Sequence, residues 1–250
     1  MSLLTGKVAF ITGASSGLGA ATARHFATQG ARVFIVGRNE EALSQTRAAC
    51  QQAGAEVVAQ TFDVGDRAAC FVAIAACVDH FGQLDVLVNV AGKHYLHHST
   101  EASLNDWRQD IDSNLSGPFF LSQAAIPHLL EQKGNIVNVA SIAGLQGQAY
   151  SAGYCAAKHG LVGLTKALAL EYAKTDLRVN VICPGGMDTP QVSSLQMPEG
   201  IDFELLMRSA GLRGMMTPEE VAPVIAFLAS DSASAIHGAV YPVDKGKTVG

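Results

Sequence analysis

Short apolar runs rich in Val and Ile recur along the chain and alternate with longer segments of helical character. Seven runs predict β-strands: KVAFIT (7–12), RVFIVG (32–37), VVAQTFD (57–63), DVLVNV (85–90), GNIVNVA (134–140), RVNVIC (178–183) and AVYPVD (239–244). Helices are predicted near 18–29, 40–53, 66–80, 103–132, 153–174 and 218–230. Strands that lack strict polar alternation are typical of parallel sheets covered on both faces. The pattern therefore predicts an α/β fold with a doubly wound, seven-stranded parallel sheet flanked by helices.

Composition favours one well-filled domain over two small ones. Of the 250 residues, 48% are hydrophobic and only 16% are charged. Single α/β domains often exceed about 200 residues, and neither a repeat nor a linker interrupts this chain. We therefore expect a single Rossmann-type domain over residues 1–250.

The charges and the cysteines of the chain indicate which partners and which cellular compartment to expect. The formal net charge is −5 and the Lys and Arg residues are scattered, so neither nucleic acid nor a membrane surface is expected as a partner. The longest apolar run, 68–78, is shorter than the roughly 18 residues of a membrane span. The five cysteines form no CxxC pattern, and the N-terminal segment shows no signal peptide. These features predict a cytoplasmic protein with reduced, buried thiols.

A glycine-rich segment, TGASSGLG (12–19), follows the first predicted strand. Ligands of doubly wound sheets bind at the carboxyl ends of the strands. There glycines let the backbone approach a pyrophosphate, and the next helix offers it free N–H groups. The spacing of Gly13, Gly17 and Gly19 differs from G-x-G-x-x-G, so it predicts a variant dinucleotide site.

Tyr154 and Lys158 are four residues apart in a predicted helix, so their side chains lie on the same face. An ammonium group beside a phenol stabilises the phenolate and lowers the pKa of the phenol from about 10. This pair therefore predicts a tyrosine that acts as an acid/base near neutral pH.

Five motifs together resemble those of the short-chain dehydrogenase/reductase family, in the family's order from about residue 5 to residue 247. They are TGASSGLG (12–19), NVAG (89–92), Ser141, YCAAK (154–158) and PGGMDT (184–189). The chain departs from the family pattern at Val90, where a second Asn is usual, and at Lys245, where a Gly is usual. The resemblance implies an NAD(P)(H)-dependent oxidoreductase that interconverts a secondary alcohol and a ketone, with Tyr154 as the acid/base.

The resemblance also implies residue roles. Its catalytic set is Asn114, Ser141, Tyr154 and Lys158. Its cofactor-binding set is Gly13, Ser15, Ser16, Gly17, Leu18, Gly19, Arg38, Asn39, Asp63, Val64, Asn89, Ala91, Gly92, Tyr154, Lys158, Pro184, Gly185, Met187 and Thr189. Asn114 would hold a water that links Lys158 to solvent, and Ser141 would hydrogen-bond the substrate oxygen. Lys158 and a positive nicotinamide would lower the pKa of Tyr154 towards about 7. No metal is implied, and family members pair their long helices, here 103–132 and 153–174, into a homotetramer.

The second predicted strand ends at Gly37, where NAD-preferring proteins of this fold carry an acidic residue. Arg38 follows at once and has the planar fork that suits a 2′-phosphate, and Asn39 adds a further donor. Ser15 and Ser16 supply no second cation. The segment therefore favours NADP(H), with NAD(H) as the alternative.

Other residues carry weaker signals. His94, His97 and His98 follow the fourth strand, and we expect them to line the substrate cleft rather than bind a metal. Tyr150 faces either substrate or the core. Cys155 points away from Tyr154 on the helix, which argues against a catalytic thiol. Five of the six methionines fall within 186–216, which predicts a mobile lid over an apolar substrate.

Three functions remain open at this point. The first is oxidoreduction of a free, fairly apolar small molecule. The second is reduction of a 3-oxoacyl group on an acidic carrier protein, which a basic patch beside the cleft would favour. The helix ends LLEQKGN and EYAKTDLR carry charges of both signs and form no basic patch. This argues against the carrier-bound substrate. The third is a non-catalytic, nucleotide-binding regulatory protein, which has no need for the full catalytic set.

Overall fold

The computed structural model describes residues 2–208, 210–211 and 213–249. Its strands are β1 (Val8–Ile11), β2 (Arg32–Gly37), β3 (Val57–Thr61), β4 (Val86–Asn89), β5 (Asn135–Val139), β6 (Arg178–Pro184) and β7 (Val240–Val243). They form one sheet in the order β3-β2-β1-β4-β5-β6-β7, and every pair of neighbours is parallel. The predicted doubly wound parallel sheet is confirmed. Its topological switch point lies between β1 and β4.

The helices are α1 (Gly17–Thr28), α2 (Glu40–Gln52), α3 (Arg67–Phe81), α4 (Leu104–Ile111), α5 (Gly117–Glu131), α6 (Ala152–Glu171), α7 (Pro190–Ser193), α8 (Phe203–Met207) and α9 (Pro218–Ala229). The single helix expected over 103–132 is wrong in detail, because a π-helical turn, Asp112–Ser116, separates α4 from α5. Within that turn the Asn114 side chain donates to the carbonyl of Asp110 at 2.9 Å. This side-chain bond competes with the regular backbone ladder and widens the turn.

Both faces of the sheet are buried, as runs without alternation predict. Phe26 of α1, Leu43 of α2 and Ile225 of α9 pack in the core on one face. The core on the other face holds Ile74 of α3 and Leu121 of α5. This double cover fixes the sheet as a rigid platform and leaves its carboxyl edge open for a ligand. Among the described residues, no helix is long and apolar enough to cross a membrane.

Thr12 joins the two strands that flank the switch point. Its Oγ1 accepts hydrogen bonds from the N–H groups of Val90 and Ala91, each at 2.9 Å, and donates to the carbonyl of Val88 at 3.4 Å. The ends of β1 and β4 are thereby held in register where the following loops diverge. A cleft opens between these loops at the carboxyl edge.

Candidate active site

The cleft has a volume of about 940 Å³ and is lined by the loops that follow β1 to β6. It gathers the four predicted catalytic residues with nearly all of the predicted cofactor residues. The lining residues from the two predicted sets are Gly13, Ser15, Ser16, Gly17, Leu18, Gly19, Arg38, Asn39, Asp63, Val64, Ala91, Gly92, Asn114, Ser141, Tyr154, Lys158, Pro184, Gly185, Met187 and Thr189. Positions up to 176 residues apart along the chain, Gly13 and Thr189, therefore meet in one site.

Asn89 is the exception, and its expected place in the cofactor cleft is wrong. Its side chain is buried within the sheet, where Nδ2 donates to Oδ1 of Asn138 at 2.8 Å. Asn138 in turn donates to Thr165 of α6 at 2.9 Å. Since Asn89 is the last residue of β4, this chain of bonds ties β4 through β5 to the helix that carries Tyr154. Asn89 supports the site from behind.

The glycine-rich turn fits a pyrophosphate group. Gly13 has φ +69°, and a β-carbon there would lie 3.0 Å from the main chain of Ala91. A β-carbon at Gly19 would collide with the carbonyl of Gly13. The side chain of Ser16, the N-cap of α1, makes no capping bond, and the first turn of α1 holds no acidic residue. The first N–H groups of α1 are thus left for an external anion, which the helix dipole also favours.

Arg38 lies at the end of the cleft beside Gly37. A β-carbon at Gly37 would collide with Oγ of Ser15, so the glycine-rich turn itself keeps this position free of a side chain. The guanidinium of Arg38 is 61% exposed and lies 3.3 Å from Oδ2 of Asp63. Asn39 uses its side-chain oxygen to cap α2 through the N–H of Ala42, at 2.9 Å. Only the amide NH₂ of the Asn39 side chain is left as a donor. Arg38 is therefore the main group that could recognise a phosphate at this end of the cleft.

Tyr154 and Lys158 stand in the first turns of α6 and point into the cleft. Lys158 is 3% exposed, and its Nζ donates to the carbonyl of Val139 at the end of β5, at 3.0 Å. The same Nζ lies 5.6 Å from the centroid of the Tyr154 ring. The predicted i, i+4 pair is therefore present, with its ammonium fixed by the sheet.

The expected lowering of the Tyr154 pKa is wrong for the protein alone. Burial raises the pKa of Tyr154 to about 12, and the hydrogen bond from Ser141 offsets only part of this rise. Burial likewise lowers the pKa of Lys158 to about 8. Desolvation disfavours both charged forms, the phenolate of Tyr154 and the ammonium of Lys158. The expected lowering also relied on a second positive charge, that of an oxidised nicotinamide ring. The protein itself does not supply this charge.

Ser141 follows β5 and lies beside the phenol. Its hydroxyl hydrogen-bonds to Tyr154, and its Oγ accepts from the N–H of Ala143 at 3.1 Å. This second bond starts a short 3-10 turn, Ile142–Gly144, which fixes the rotamer of Ser141. Two hydroxyl groups therefore converge on one point of the cleft, where they can share a substrate oxygen.

Asn114 lies behind this point and is fully buried. Its Nδ2 donates to the carbonyls of Lys93 at 2.8 Å and Asp110 at 2.9 Å. Its Oδ1 has no partner among the described residues. A β-carbon at Gly92 would collide with this oxygen and lie 3.3 Å from Nζ of Lys158. The absence of a side chain at Gly92 leaves room beside both groups, which fits a bridging water.

The three histidines of 94–98 separate in the structure. His94 and His97 line the cleft as expected. His98 does not: its Nε2 bonds the carbonyl of Glu199 at 2.8 Å. Within the ranges that the structure describes, no group of three or more His, Cys, Asp or Glu residues is placed to hold a metal ion.

Sequence reasoning gave His94 no individual role, yet it is the side chain packed on the acid/base. The rings of His94 and Tyr154 stack with centroids 4.3 Å apart. Asp110 was missed altogether: its buried carboxylate accepts the backbone N–H of Tyr154 and packs against Gly153. Asp110 lies far from α6 in sequence and belongs to no motif. Its position on α4, three residues after Trp107, was the one sequence feature that could have drawn attention to it.

Tyr150 was expected to face either the substrate or the core. It lies outside the main cleft, so it does not face the substrate site. Its hydroxyl oxygen accepts the N–H of Asp202 at 2.7 Å. Tyr150 has φ +63°, an uncommon backbone conformation for a bulky residue. Together, Tyr150 and His98 therefore bond to the segment 199–202 outside the cleft. Cys155 is also turned aside, with Sγ 4.0 Å from the carbonyl of Gln148.

Apolar side chains of the segment 187–207 close the substrate end of the cleft. They are Met187, Val192, Leu195, Met197, Leu206 and Met207. Met197 is 49% exposed and Met207 is 60% exposed. Met216, by contrast, is 3% exposed and belongs to the core, so it does not face a substrate as the methionine count suggested.

The chain is similar to known proteins in both sequence and fold. A family model described as short chain dehydrogenase matches residues 7–200. The chain is 41% identical over 242 residues to a meso-2,3-butanediol dehydrogenase from Serratia marcescens, covering 97% of this chain and 94% of that protein.

Two solved structures show the same fold with a nicotinamide cofactor. A short-chain dehydrogenase from Mycobacterium paratuberculosis bound to NAD superposes with a TM-score of 0.93 at 30% identity, covering 99% of this chain and all of that one. An actinorhodin polyketide ketoreductase variant with NADPH gives a TM-score of 0.86 at 35% identity, covering 96% of this chain and 97% of the other. These two structures thus contain different cofactors.

Proposed function

Because the chain belongs to the short-chain dehydrogenase family, we propose that it interconverts a secondary alcohol and a ketone on a fairly apolar small molecule, with Tyr154 as the acid/base. The enzyme is an oxidoreductase that acts on CH–OH groups with NAD or NADP. The observation that carries the proposal is the meeting of Tyr154, Ser141 and Lys158 at one point of the cleft. A screen of ketones and alcohols, followed at the nicotinamide absorbance with both cofactors, tests it.

The roles of the chain's own residues follow from their surroundings. A bound nicotinamide cofactor supplies the acceptor or donor of a hydride. In reduction, the Tyr154 phenol, protonated at neutral pH, gives its proton to the forming alkoxide. In oxidation it takes the alcohol proton, and the Lys158 ammonium stabilises the phenolate. Ser141 steadies the substrate oxygen where charge develops. The unpartnered Oδ1 of Asn114 supports the proposed water that relays protons between Lys158 and solvent.

We favour NADP(H) over NAD(H) for this chain. The exposed Arg38 guanidinium lies at the end of β2, where a 2′-phosphate would approach, and Gly37 offers no repelling carboxylate. Asp63 is the described partner of Arg38, and a phosphate would compete with this half-exposed carboxylate for the guanidinium. NAD(H) is the alternative, since a solved relative at 30% identity is bound to NAD.

The carrier-bound substrate is the second candidate, favoured by the relation to a polyketide ketoreductase. The charge argument from LLEQKGN and EYAKTDLR was misplaced. Both segments directly precede strands, and Lys133 pairs with Asp176 at 3.1 Å at the amino edge of the sheet, away from the cleft. Nearer the cleft, Arg208 lies 3.9 Å from Glu204 and Lys245 lies 3.3 Å from Glu220. These matched charges support a free small molecule.

Residues 186–216 are proposed as a lid within a single domain of residues 1–250. The two ends of the segment are tied together, since Asp188 donates to the carbonyl of Met216 at 2.8 Å and Met216 donates to Gly186 at 2.9 Å. Between these ends, exposed methionines face the cleft, which suits closure over an apolar substrate. A lid of this kind excludes water from the reacting oxygen.

A homotetramer is proposed for the enzyme. The helices expected to pair expose large apolar side chains: Leu104 is 63% exposed, Trp107 47%, Phe119 42% and Leu170 80%. Such a set on α4, α5 and α6 supports burial against another subunit. Light scattering at micromolar concentration is expected to give the mass of four chains, and a monomeric mass would refute the assembly.

A further inference from the structure

His94 occupies a position from which it touches both the acid/base and the open cleft. It follows β4 by a few residues, and its ring lies against Tyr154 with an interplanar angle of 29°. It lines the same cleft as Ser141 and Lys158. Any substrate whose oxygen reaches the Tyr154 hydroxyl therefore lies close to this imidazole.

The hydrogen bonds around Ser151 decide which nitrogen of His94 carries the proton. The Ser151 hydroxyl has one hydrogen, which it donates to the carbonyl of Ala149 at 3.2 Å. With the hydrogen assigned to that carbonyl, the Ser151 oxygen accepts the bond that joins it to Nε2 of His94, 2.8 Å away, and Nε2 carries the proton. Burial and the nearby Lys158 lower the pKa of His94 to about 4, which keeps the ring neutral. Its Nδ1 then presents a lone pair and only accepts hydrogen bonds.

This Nδ1 is open for a ligand. It makes no hydrogen bond to any residue that the structure describes. It is not a buried atom either, in contrast to the unpartnered Oδ1 of Asn114, so it is reached from the cleft that His94 lines. An acceptor facing a largely apolar substrate site is matched by a hydroxyl or amine donor on the substrate.

We infer that His94 is a specificity-determining residue that accepts a hydrogen bond from a hydroxyl group on the carbon next to the reacting carbon. The inference rests on the proposed function. The rings of His94 and Tyr154 stack with centroids 4.3 Å apart, so the atoms next to a substrate oxygen held by Tyr154 lie beside the imidazole. The Lys158 charge acts on His94 and disfavours a cationic donor such as an ammonium group. The substrates are accordingly vicinal diols and α-hydroxy ketones, with the remaining apolar carbons against Met187 and Met207.

The test compares two ketones of the same carbon skeleton, acetoin and butanone, which differ by this hydroxyl. Wild type is expected to prefer acetoin in kcat/KM by about tenfold or more, because a site built for a hydroxyl is left unpaired by the analogue that lacks it. In His94→Phe, which keeps a stacked ring and removes the acceptor, the ratio should fall towards one. Equal kcat/KM values in wild type, or an unchanged ratio in His94→Phe, would overturn the assignment.

Two further variants separate specificity from a merely structural role. Ser151→Ala removes the bond that fixes the tautomer of His94, so the acetoin preference should fall part of the way towards the His94→Phe value. His94→Gln retains an amide acceptor and should restore part of the preference that His94→Phe loses. A Gln variant no better than Phe, or a Ser151→Ala variant with the full wild-type preference, counts against the assignment. If wild type reduces neither ketone nor any other in the carbonyl screen, the proposed function itself fails, whereas butanone reduced as well as acetoin contradicts the His94 inference alone.

Discussion

Tyr154 and Lys158 lie one turn apart on α6, with the Lys158 ammonium 5.6 Å from the centroid of the Tyr154 ring. The ammonium is buried, and its described hydrogen-bond partner is a carbonyl, that of Val139, rather than a carboxylate. A buried charge with so little compensation costs folding free energy. The pair is thus built for chemistry at the expense of stability.

Lys158→Met is expected to stabilise the fold while abolishing turnover. The folded-state pKa of Lys158, about 8, lies below the ordinary 10.5, so its charge opposes folding fully below pH 8 and less as pH rises towards 10.5. At neutral pH the Met variant should gain about 1–3 kcal/mol in unfolding free energy. Urea unfolding of both proteins at several pH values measures this. A variant that is less stable at neutral pH, or a gain that does not shrink with rising pH, would show that the charge is well solvated.

Arg38→Ala should shift cofactor use towards NAD(H). Loss of a charge-assisted, bidentate contact to a 2′-phosphate is expected to lower kcat/KM for NADP(H) by about tenfold or more, with little change for NAD(H). Arg47→Ala, an exposed arginine on α2 that does not line the cleft, is the matched control. A wild type that prefers NAD(H), or a preference that Arg38→Ala leaves unaltered, would remove this role from Arg38.

Tyr150→Phe should loosen the proposed lid. The change deletes the oxygen that accepts the N–H of Asp202 and keeps the ring, so residues 199–202 lose one hydrogen bond to the segment that carries Tyr150. Limited proteolysis should cut within 186–216 faster than in wild type, and cofactor plus substrate should slow the cutting in both. Tyr241→Phe on β7 serves as the control. Equal cutting with and without ligands would argue that the segment does not close.

The features that sequence predicted well are those whose cause is local. Strand identity follows from short apolar runs, and the α6 pair follows from helical spacing alone. The tight glycine-rich turn was predictable because Gly13 adopts a positive φ, a backbone conformation that other residues rarely take. These arguments require only a few neighbours along the chain.

The missed features depend on contacts between distant segments. Nothing in the apolar pattern distinguishes Asn89 in the sheet from Ala91 in the cleft two residues later, because the difference lies in Asn138 of another strand. The π-helical turn depends on where the Asn114 side chain finds its acceptors. Likewise, the phenol pKa was misjudged because desolvation depends on packing, which spacing does not reveal.

The most direct test of the whole account is the rate of hydride transfer in Tyr154→Phe, measured with a ketone that wild type reduces. The ring is kept and the proton carrier is lost, so turnover should fall by about 100-fold or more while cofactor binding, followed by fluorescence, stays near the wild-type Kd. Tyr172→Phe, at the other end of the same helix, should keep wild-type turnover. Turnover near the wild-type rate in Tyr154→Phe would contradict the account, because the account assigns delivery of the proton to the Tyr154 hydroxyl.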